Sequence, residues 1–259
     1  MTMGFHPKRI LITGASGGLG TALARHYAGP GICLSLWGRD LARLSSLAKA
    51  CEAAGASVEI RSLDLGNVEH ALHAMLTDDE ADPVDLAIFA AGLGDIRAAG
   101  AVVEDAGVVA RLGMINFVAP AAMAAALAER MARRGHGRIV MIGSAAAFHA
   151  LPFAAAYSGT KAGLARFAEA LRIGVRQHGV KVTLVSPGFI DTAAARRTGG
   201  ARPLSTQPDV VAARIARAAA LGQAHAIMPW PFNLLRWFDR LLPRPLRERL
   251  LLALSPPGH

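Results

Sequence analysis

Residues 13–20 read TGASGGLG, four glycines in eight positions, and they follow the basic and apolar run KRILI at 8–12. A continuous apolar run of this length that breaks into glycine reads as a buried strand feeding the first strand-to-helix turn of a doubly wound sheet. At such a turn the backbone comes close to a dinucleotide pyrophosphate, and the N-terminus of the next helix points its unpaired N–H groups there. Gly14, Gly18 and Gly20 give the pattern G-x-x-x-G-x-G. The first permits the tight turn, the second lets the backbone reach the phosphates, and the third lets helix pack on strand. A glycine-rich turn also serves merely to connect elements, so the reading rests on what surrounds it.

Working outward, apolar runs recur at even intervals: RILIT, ICLSLW, VEIRSL, VDLAIFAAG, GRIVMIGS, KVTLVSPG and HAIMPW. Between them lie helical stretches such as LARLSSLAKACEAAG and AAMAAALAERMARRG, which stop at glycine. The alternation predicts an α/β, Rossmann-like fold: a doubly wound, mainly seven-stranded parallel sheet with helices on both faces and right-handed crossovers. There is no internal repeat and no interdomain linker. Residues 1–230 are expected to form one domain, with a substrate lid at about 189–206, and residues 231–259 a C-terminal amphipathic helical extension.

Composition excludes several classes. With 259 residues, 53% hydrophobic and 18% charged, the chain can bury a large core without disulfides or metal. Cys33 and Cys51 form no C-x-x-C pair, so neither a disulfide framework nor a zinc site is indicated, and the default compartment is a reducing cytoplasm. The start MTMGFHPKR has no apolar signal core, and no run reaches the ~18 uninterrupted apolar residues of a spanning helix, so neither export nor membrane spanning is expected. The net charge of +9 comes from 24 arginines and four lysines scattered along the chain, without a stripe that would read nucleic acid.

About ~20 residues after the turn, an acidic group would bind an adenosine ribose 2′-hydroxyl. Here the chain reads Trp37-Gly38-Arg39-Asp40. Gly38 leaves space where a carboxylate would repel a 2′-phosphate, and Arg39 offers a planar donor fork for one, so NADP(H) is preferred and NAD(H) is second. Asp40 is placed to cap the following helix. Further on, YSGTK sets Tyr157 and Lys161 at i and i+4 on one helix face. An ammonium there is expected to draw a phenol pKa down from ~10 towards a useful acid/base range. Ser144, thirteen residues upstream of Tyr157, ends the strand RIVMIGS at the carboxyl edge of the sheet, where open α/β folds bind ligands.

The whole arrangement resembles the short-chain dehydrogenase/reductase family in its compact single-domain form, over residues 8 to about 230. Thr13 to Gly20 match T-G-x-x-x-G-x-G, Asp64-Leu65 matches the aspartate-bearing end of the third strand, and Tyr157 with Lys161 matches Y-x-x-x-K. The resemblance implies a catalytic set of Asn116, Ser144, Tyr157 and Lys161. The serine orients a carbonyl, the tyrosine transfers the proton, the lysine also binds the nicotinamide ribose, and the asparagine holds a relay water. It implies cofactor contacts from Thr13, Gly14, Ser16, Gly17, Gly18, Leu19 and Gly20, from Arg39, Asp64 and Leu65, from Ala91 and Gly92, from Tyr157 and Lys161, and from Pro187, Gly188, Ile190 and Thr192 of PGFIDT. Two positions depart from the family. Ala90-Ala91-Gly92 stands for N-A-G, removing an amide that ties neighbouring segments, and Gly17 stands where many NADP-preferring members carry a basic residue. No metal is expected: His136, His149 and His178 are isolated.

Residues 145–156, AAAFHALPFAAA, carry no charge if His149 is neutral. Ala145, Phe148, His149, Phe153 and Phe189 are the expected substrate pocket, whose apolar wall favours a hydrophobic carbonyl or alcohol, with ordinary loop packing as the alternative. Arg196, Arg197 and Arg202 on the lid either meet an acidic group or stay hydrated. In the tail, Leu234, Leu235, Trp237, Phe238, Leu241 and Leu242 occupy one arc, and residues 236–249 hold five arginines against one aspartate and one glutamate, a net +3. Such a helix serves a subunit contact in a dimer or tetramer, a pocket cover, or peripheral membrane attachment, in that order of expectation. The leading function is a hydride-transferring oxidoreductase, a ketone reductase or alcohol dehydrogenase. The alternatives are a non-catalytic NADP(H)-binding sensor or scaffold, against which the intact Ser144, Tyr157 and Lys161 stand, and a sugar-nucleotide epimerase or dehydratase, for which too little chain follows residue 189.

Overall fold

The computed structural model describes residues 5–94, 96–197, 204–253 and 255, without the side chains of residues 194, 197, 235 and 238–240. Arg202 and the middle of the expected lid therefore lie outside the described residues, as does the side chain of Arg197. In chain order the elements are β1 (Arg9–Thr13), α1 (Gly18–Tyr27), β2 (Cys33–Gly38), α2 (Leu41–Ala53), β3 (Ser57–Ser62), α3 (Val68–Ala81), β4 (Leu86–Phe89) and α4 (Ala106–Gly113). A π-helical turn, Met114–Val118, leads into α5 (Ala119–Arg134). Then come β5 (Gly137–Ile142), α6 (Ala155–Val175), β6 (Val180–Pro187), α7 (Ala193–Arg197), α8 (Pro208–Leu221), β7 (His225–Met228), α9 (Pro231–Leu241) and α10 (Arg244–Ala253).

The strands join in one seven-stranded sheet, order β3-β2-β1-β4-β5-β6-β7, with every pairing parallel. β1 sits between β2 and β4 and is buried throughout, which is why its sequence shows no polar alternation. Ile10 and Ile12 face one core with Leu34, Leu36, Leu23 of α1, Leu44 of α2 and Ile215 of α8. Leu11 faces the other with Trp37, Phe89, Met75 of α3, Met123 and Leu127 of α5, and Leu164 of α6. The period-2 strand thus feeds two apolar layers at once. At the sheet edge β3 is different: Ser57, Glu59 and Arg61 are exposed, because one side of this strand has no neighbour.

Local chemistry fixes the element ends. Asp40 caps α2, its carboxylate accepting from Arg43 N–H at 3.0 Å. Gly135 and Gly222 end α5 and α8 with φ of 76° and 62°. The continuous run Ala106–Arg134 is long and contains an 18-residue stretch of mean hydropathy 1.6. It is a core helix: Leu112, Ile115, Met123, Leu127 and Met131 are buried. The chain leaves β1 for β2 and β3 and returns to β4 beside β1, so a crevice opens at the carboxyl ends of β1 and β4.

Candidate active site

That crevice is a cleft of about 280 Å³ lined by Gly14, Ser16, Gly17, Gly18 and Gly20, by Trp37, Gly38 and Arg39, by Leu63, Asp64 and Leu65, by Ala90 to Leu93, and by Ile115 and Thr192. Gly14 adopts φ +70°, and a Cβ there would lie 2.6 Å from Ala91 Cα, so the turn is both left-handed and pressed against the end of β4. A Cβ on Gly18 would lie 2.6 Å from the Thr192 methyl. The bare α-carbon at 18 therefore admits a side chain from the segment after β6 as well as giving backbone access. Gly17 caps α1 without any side-chain bond, which leaves first-turn N–H groups directed at the cleft.

These features fit a dinucleotide. The uncapped helix start suits a pyrophosphate, and the Asp40 carboxylate, paired with Arg43 at 3.1 Å, leaves the neighbouring Arg39 guanidinium without an ion pair among the described residues. Asp64 accepts from Gly66 N–H at 2.9 Å, which fixes the loop that closes the far end. Of the residues expected to touch cofactor, Thr13, Leu19, Tyr157, Lys161, Pro187, Gly188 and Ile190 lie outside this lining. Thr13 Oγ1 instead accepts from Ala91 N–H at 3.3 Å, and Gly188 packs against the Phe232 ring of α9.

Beside the cleft, α6 brings Tyr157 and Lys161 together with Ser144. The Ser144 hydroxyl accepts from Ala146 N–H at 3.1 Å and lies near enough to the Tyr157 phenol to favour its ionised form. Lys161 is buried, its Nζ donating to Ile142 O at 2.9 Å. A Cβ on Gly92, in the cleft wall, would sit 3.4 Å from that Nζ and 3.3 Å from Asn116 Oδ1, which puts the ammonium and the amide against the cofactor cleft. Burial holds the Tyr157 phenol above its ordinary value of 10.0, opposed by the Ser144 hydroxyl, and burial drops Lys161 to about 8. The direction at Tyr157 is opposite to the one the spacing suggests. Desolvation dominates, and the ammonium spends a proton on a carbonyl.

Asn116 is fully buried in the π-helical turn. Its Oδ1 accepts from Leu93 N–H at 2.8 Å and its Nδ2 donates to Leu93 O at 2.8 Å. This two-way clamp holds the segment whose usual asparagine is replaced by Ala90, and together with Thr13 it supplies a tie between neighbouring segments. The amide also points its Nδ2 at Thr160 Oγ1 at 3.5 Å, which ties the turn to α6.

Ala145 is buried and Phe153 half-buried, the latter's carbonyl accepting from Arg97 N–H at 2.8 Å. Phe189 is exposed at the start of the expected lid. Phe148 lines a different and larger hollow of about 550 Å³, with Leu184, His225, Arg172 and Arg236, its ring 6.2 Å from that of His225 and 6.4 Å from that of His149. The two ends of the segment expected to be a lid are stitched by Thr206 N–H to Phe189 O at 2.9 Å and Asp191 N–H to Thr206 O at 3.0 Å. Asp191 also accepts from Arg196 at 3.0 Å, so that arginine meets an acidic group of its own segment.

The sequence pattern of the family described as short chain dehydrogenase matches residues 8–202. The chain belongs to the short-chain dehydrogenase/reductase family. An uncharacterized oxidoreductase of Myxococcus xanthus is 32% identical over 237 residues, covering 91% of this chain and 93% of its own. Dehydrogenase/reductase SDR family member 7B of Bos taurus is 33% identical over 200 residues, 71% of this chain and 58% of that protein. Among solved structures, a short-chain dehydrogenase from Sphingobium yanoikuyae in complex with NADPH has a TM-score of 0.79 at 27% identity, over 97% of both chains. The bulky-bulky ketone specific alcohol dehydrogenase from Comamonas testosteroni has a TM-score of 0.77 at 25% identity, covering 100% of this chain and 97% of that one.

Two residues of this short-chain dehydrogenase/reductase escape a reading of motifs. Glu104 Oε2 accepts from Ala156 N–H at 2.8 Å and so caps, from 52 positions upstream, the helix that carries Tyr157. Trp37 lines the cleft while its indole N–H donates to Ser35 at 2.9 Å. The tryptophan was visible beside Arg39; for Glu104 no local signal exists, because its partner is remote in the chain.

Proposed function

We propose that this short-chain dehydrogenase/reductase is an NADP(H)-dependent carbonyl reductase, reversibly an alcohol dehydrogenase, acting on a small hydrophobic carbonyl compound. The observation that carries the reading is that the Ser144 hydroxyl, the Tyr157 phenol and the buried Lys161 ammonium gather beside the wall of the dinucleotide cleft. The uncommitted Arg39 at the cleft's adenosine end supports the 2′-phosphate form, and one structural neighbour was solved with NADPH. The uncharged 145–156 segment and exposed Phe189 support an apolar substrate, and another neighbour is specific for bulky ketones.

When bound, the nicotinamide supplies a hydride to the carbonyl carbon. Tyr157 delivers its phenolic proton to the carbonyl oxygen, so the substrate gains hydride and proton and leaves as an alcohol. A phenol held above its ordinary pKa is protonated at neutral pH and stands ready to donate. Ser144 hydrogen-bonds the oxygen on which charge develops, and Lys161 offsets the phenolate left behind until solvent restores its proton.

The test is NADPH or NADH oxidation by purified protein with a panel running from short ketones to aryl and long-chain ketones. Turnover with NADPH exceeding that with NADH, and highest on the apolar ketones, is expected. Tyr157→Phe is expected to lower kcat by about 10²-fold or more while leaving the NADPH dissociation constant within about twofold. A Tyr157→Phe protein that keeps its turnover would remove the assigned role.

A further inference from the structure

The apolar stripe of the tail faces the wrong way for a helix that serves only its own domain. Trp230, Leu234, Trp237 and Leu241 recur at spacings of four, three and four, which places them along one side of α9. They are 70, 59, 49 and 79% exposed. The contacts that seat α9 on the domain come from other positions: Phe232 packs on Gly188, and Arg236 lines the hollow that contains Phe148 and His225. In α10 the same outward pattern continues with Leu246 and Leu250, exposed at successive turns, while Leu251 is the residue that is buried. None of Trp230, Leu234, Trp237 and Leu241 lines the cleft or the hollow beside His225.

The exposed parts of these two tryptophans and of the leucines make a solvent-facing apolar surface. Charge selects what covers it. Arg236 lines the hollow, but residues 237–249 still carry four arginines against one aspartate and one glutamate, a net +2, interleaved with the apolar stripe along the same short stretch. A second copy docking through a two-fold axis would set this positive patch against itself, and the excess over the two acidic residues would repel. An anionic lipid surface meets both demands at once: tryptophan and leucine enter the headgroup and acyl boundary while arginine pairs with phosphate. We propose that α9 and α10 form an interfacial anchor that attaches the protein to anionic membranes, lying on the surface without crossing it. The inference stands apart from the reductase reading, since it uses none of Ser144, Tyr157 and Lys161.

Sedimentation of full-length protein with phosphatidylcholine vesicles, with and without phosphatidylglycerol, tests it. Binding is expected to be about tenfold or more tighter to the phosphatidylglycerol vesicles and to weaken as salt rises. Intrinsic fluorescence gives a second readout, because Trp37 is 1% exposed whereas Trp230 and Trp237 lie on the stripe. Brominated lipid is expected to quench the latter pair. The double variant Leu234→Glu, Trp237→Glu should lose binding about tenfold or more with an unchanged thermal melt, as both positions are exposed. Absence of binding to either vesicle overturns the proposal, as does binding that the double variant retains. A dimer in analytical ultracentrifugation that the variant splits, with no vesicle binding, also overturns it and assigns the stripe to a subunit contact.

Discussion

Tyr157 and Lys161 are four residues apart, and their spacing places them on one helix face as expected. What that proximity does to the protons was not in the spacing. Burial raises the phenol and lowers the ammonium from 10.5 to about 8, so the lysine, not the tyrosine, titrates nearest neutrality. For reduction, kcat/KM is expected to hold across neutral pH and to decline as the pH passes about 8, where Lys161 loses the charge that offsets the phenolate. Unfolding is excluded as the cause by the sign of the linkage. A lysine with a folded pKa below its unfolded value leaves the unfolded chain holding more protons between about 8 and 10.5, so its contribution to stability rises with pH through that window. A pH profile of kcat/KM recorded alongside thermal melts checks both halves; a flat profile to pH 10 would remove the role given to Lys161.

At the scale of elements, the π-helical turn at Met114–Val118 decides how the cleft wall is held. Its wide turn, closed by Ala119 N–H on Met114 O, interrupts α4 and α5 and presents Asn116 to Leu93. Asn116→Ala would leave both Leu93 backbone groups unpaired in a part-buried site, at about 1–3 kcal/mol for each. The expected loss is thus about 2–6 kcal/mol in urea denaturation, with Asn116→Asp intermediate because it still accepts from Leu93 N–H. A change below about 0.5 kcal/mol would show the clamp to be incidental. The asparagine itself was legible only through the family resemblance, whereas β1, the glycine turn and the Asp40 cap were legible from the residues themselves. The π turn was not, because the sequence MINFV has no residue that marks it. Likewise unmarked in the sequence is the short helical turn after Ser144, which sets Phe148 into the hollow beside His225.

Across the molecule, the side layer of α3 and α5 is pinned by a carboxylate no pattern announced. Asp79 is 1% exposed and accepts from Arg134 at 2.8 and 3.1 Å and from Val84 N–H at 2.9 Å, which joins two helices to the entry of β4. Removing one member of a buried pair strands the other charge, so Asp79→Ala is expected to destabilise by about 3–5 kcal/mol, read as a lower urea midpoint. An unchanged midpoint would show water replacing the carboxylate. By itself the sequence determined the seven strands, the glycine bend after the first, and the helix that spaces Tyr157 from Lys161, since each is a matter of periodicity and turn chemistry among near neighbours. Tertiary structure alone decided which way the phenol titrates, what Asn116 and Glu104 hold, and that the tryptophan stripe of α9 looks outward. Those outcomes depend on desolvation and on contacts between segments tens of residues apart, quantities that no local stretch of chain contains.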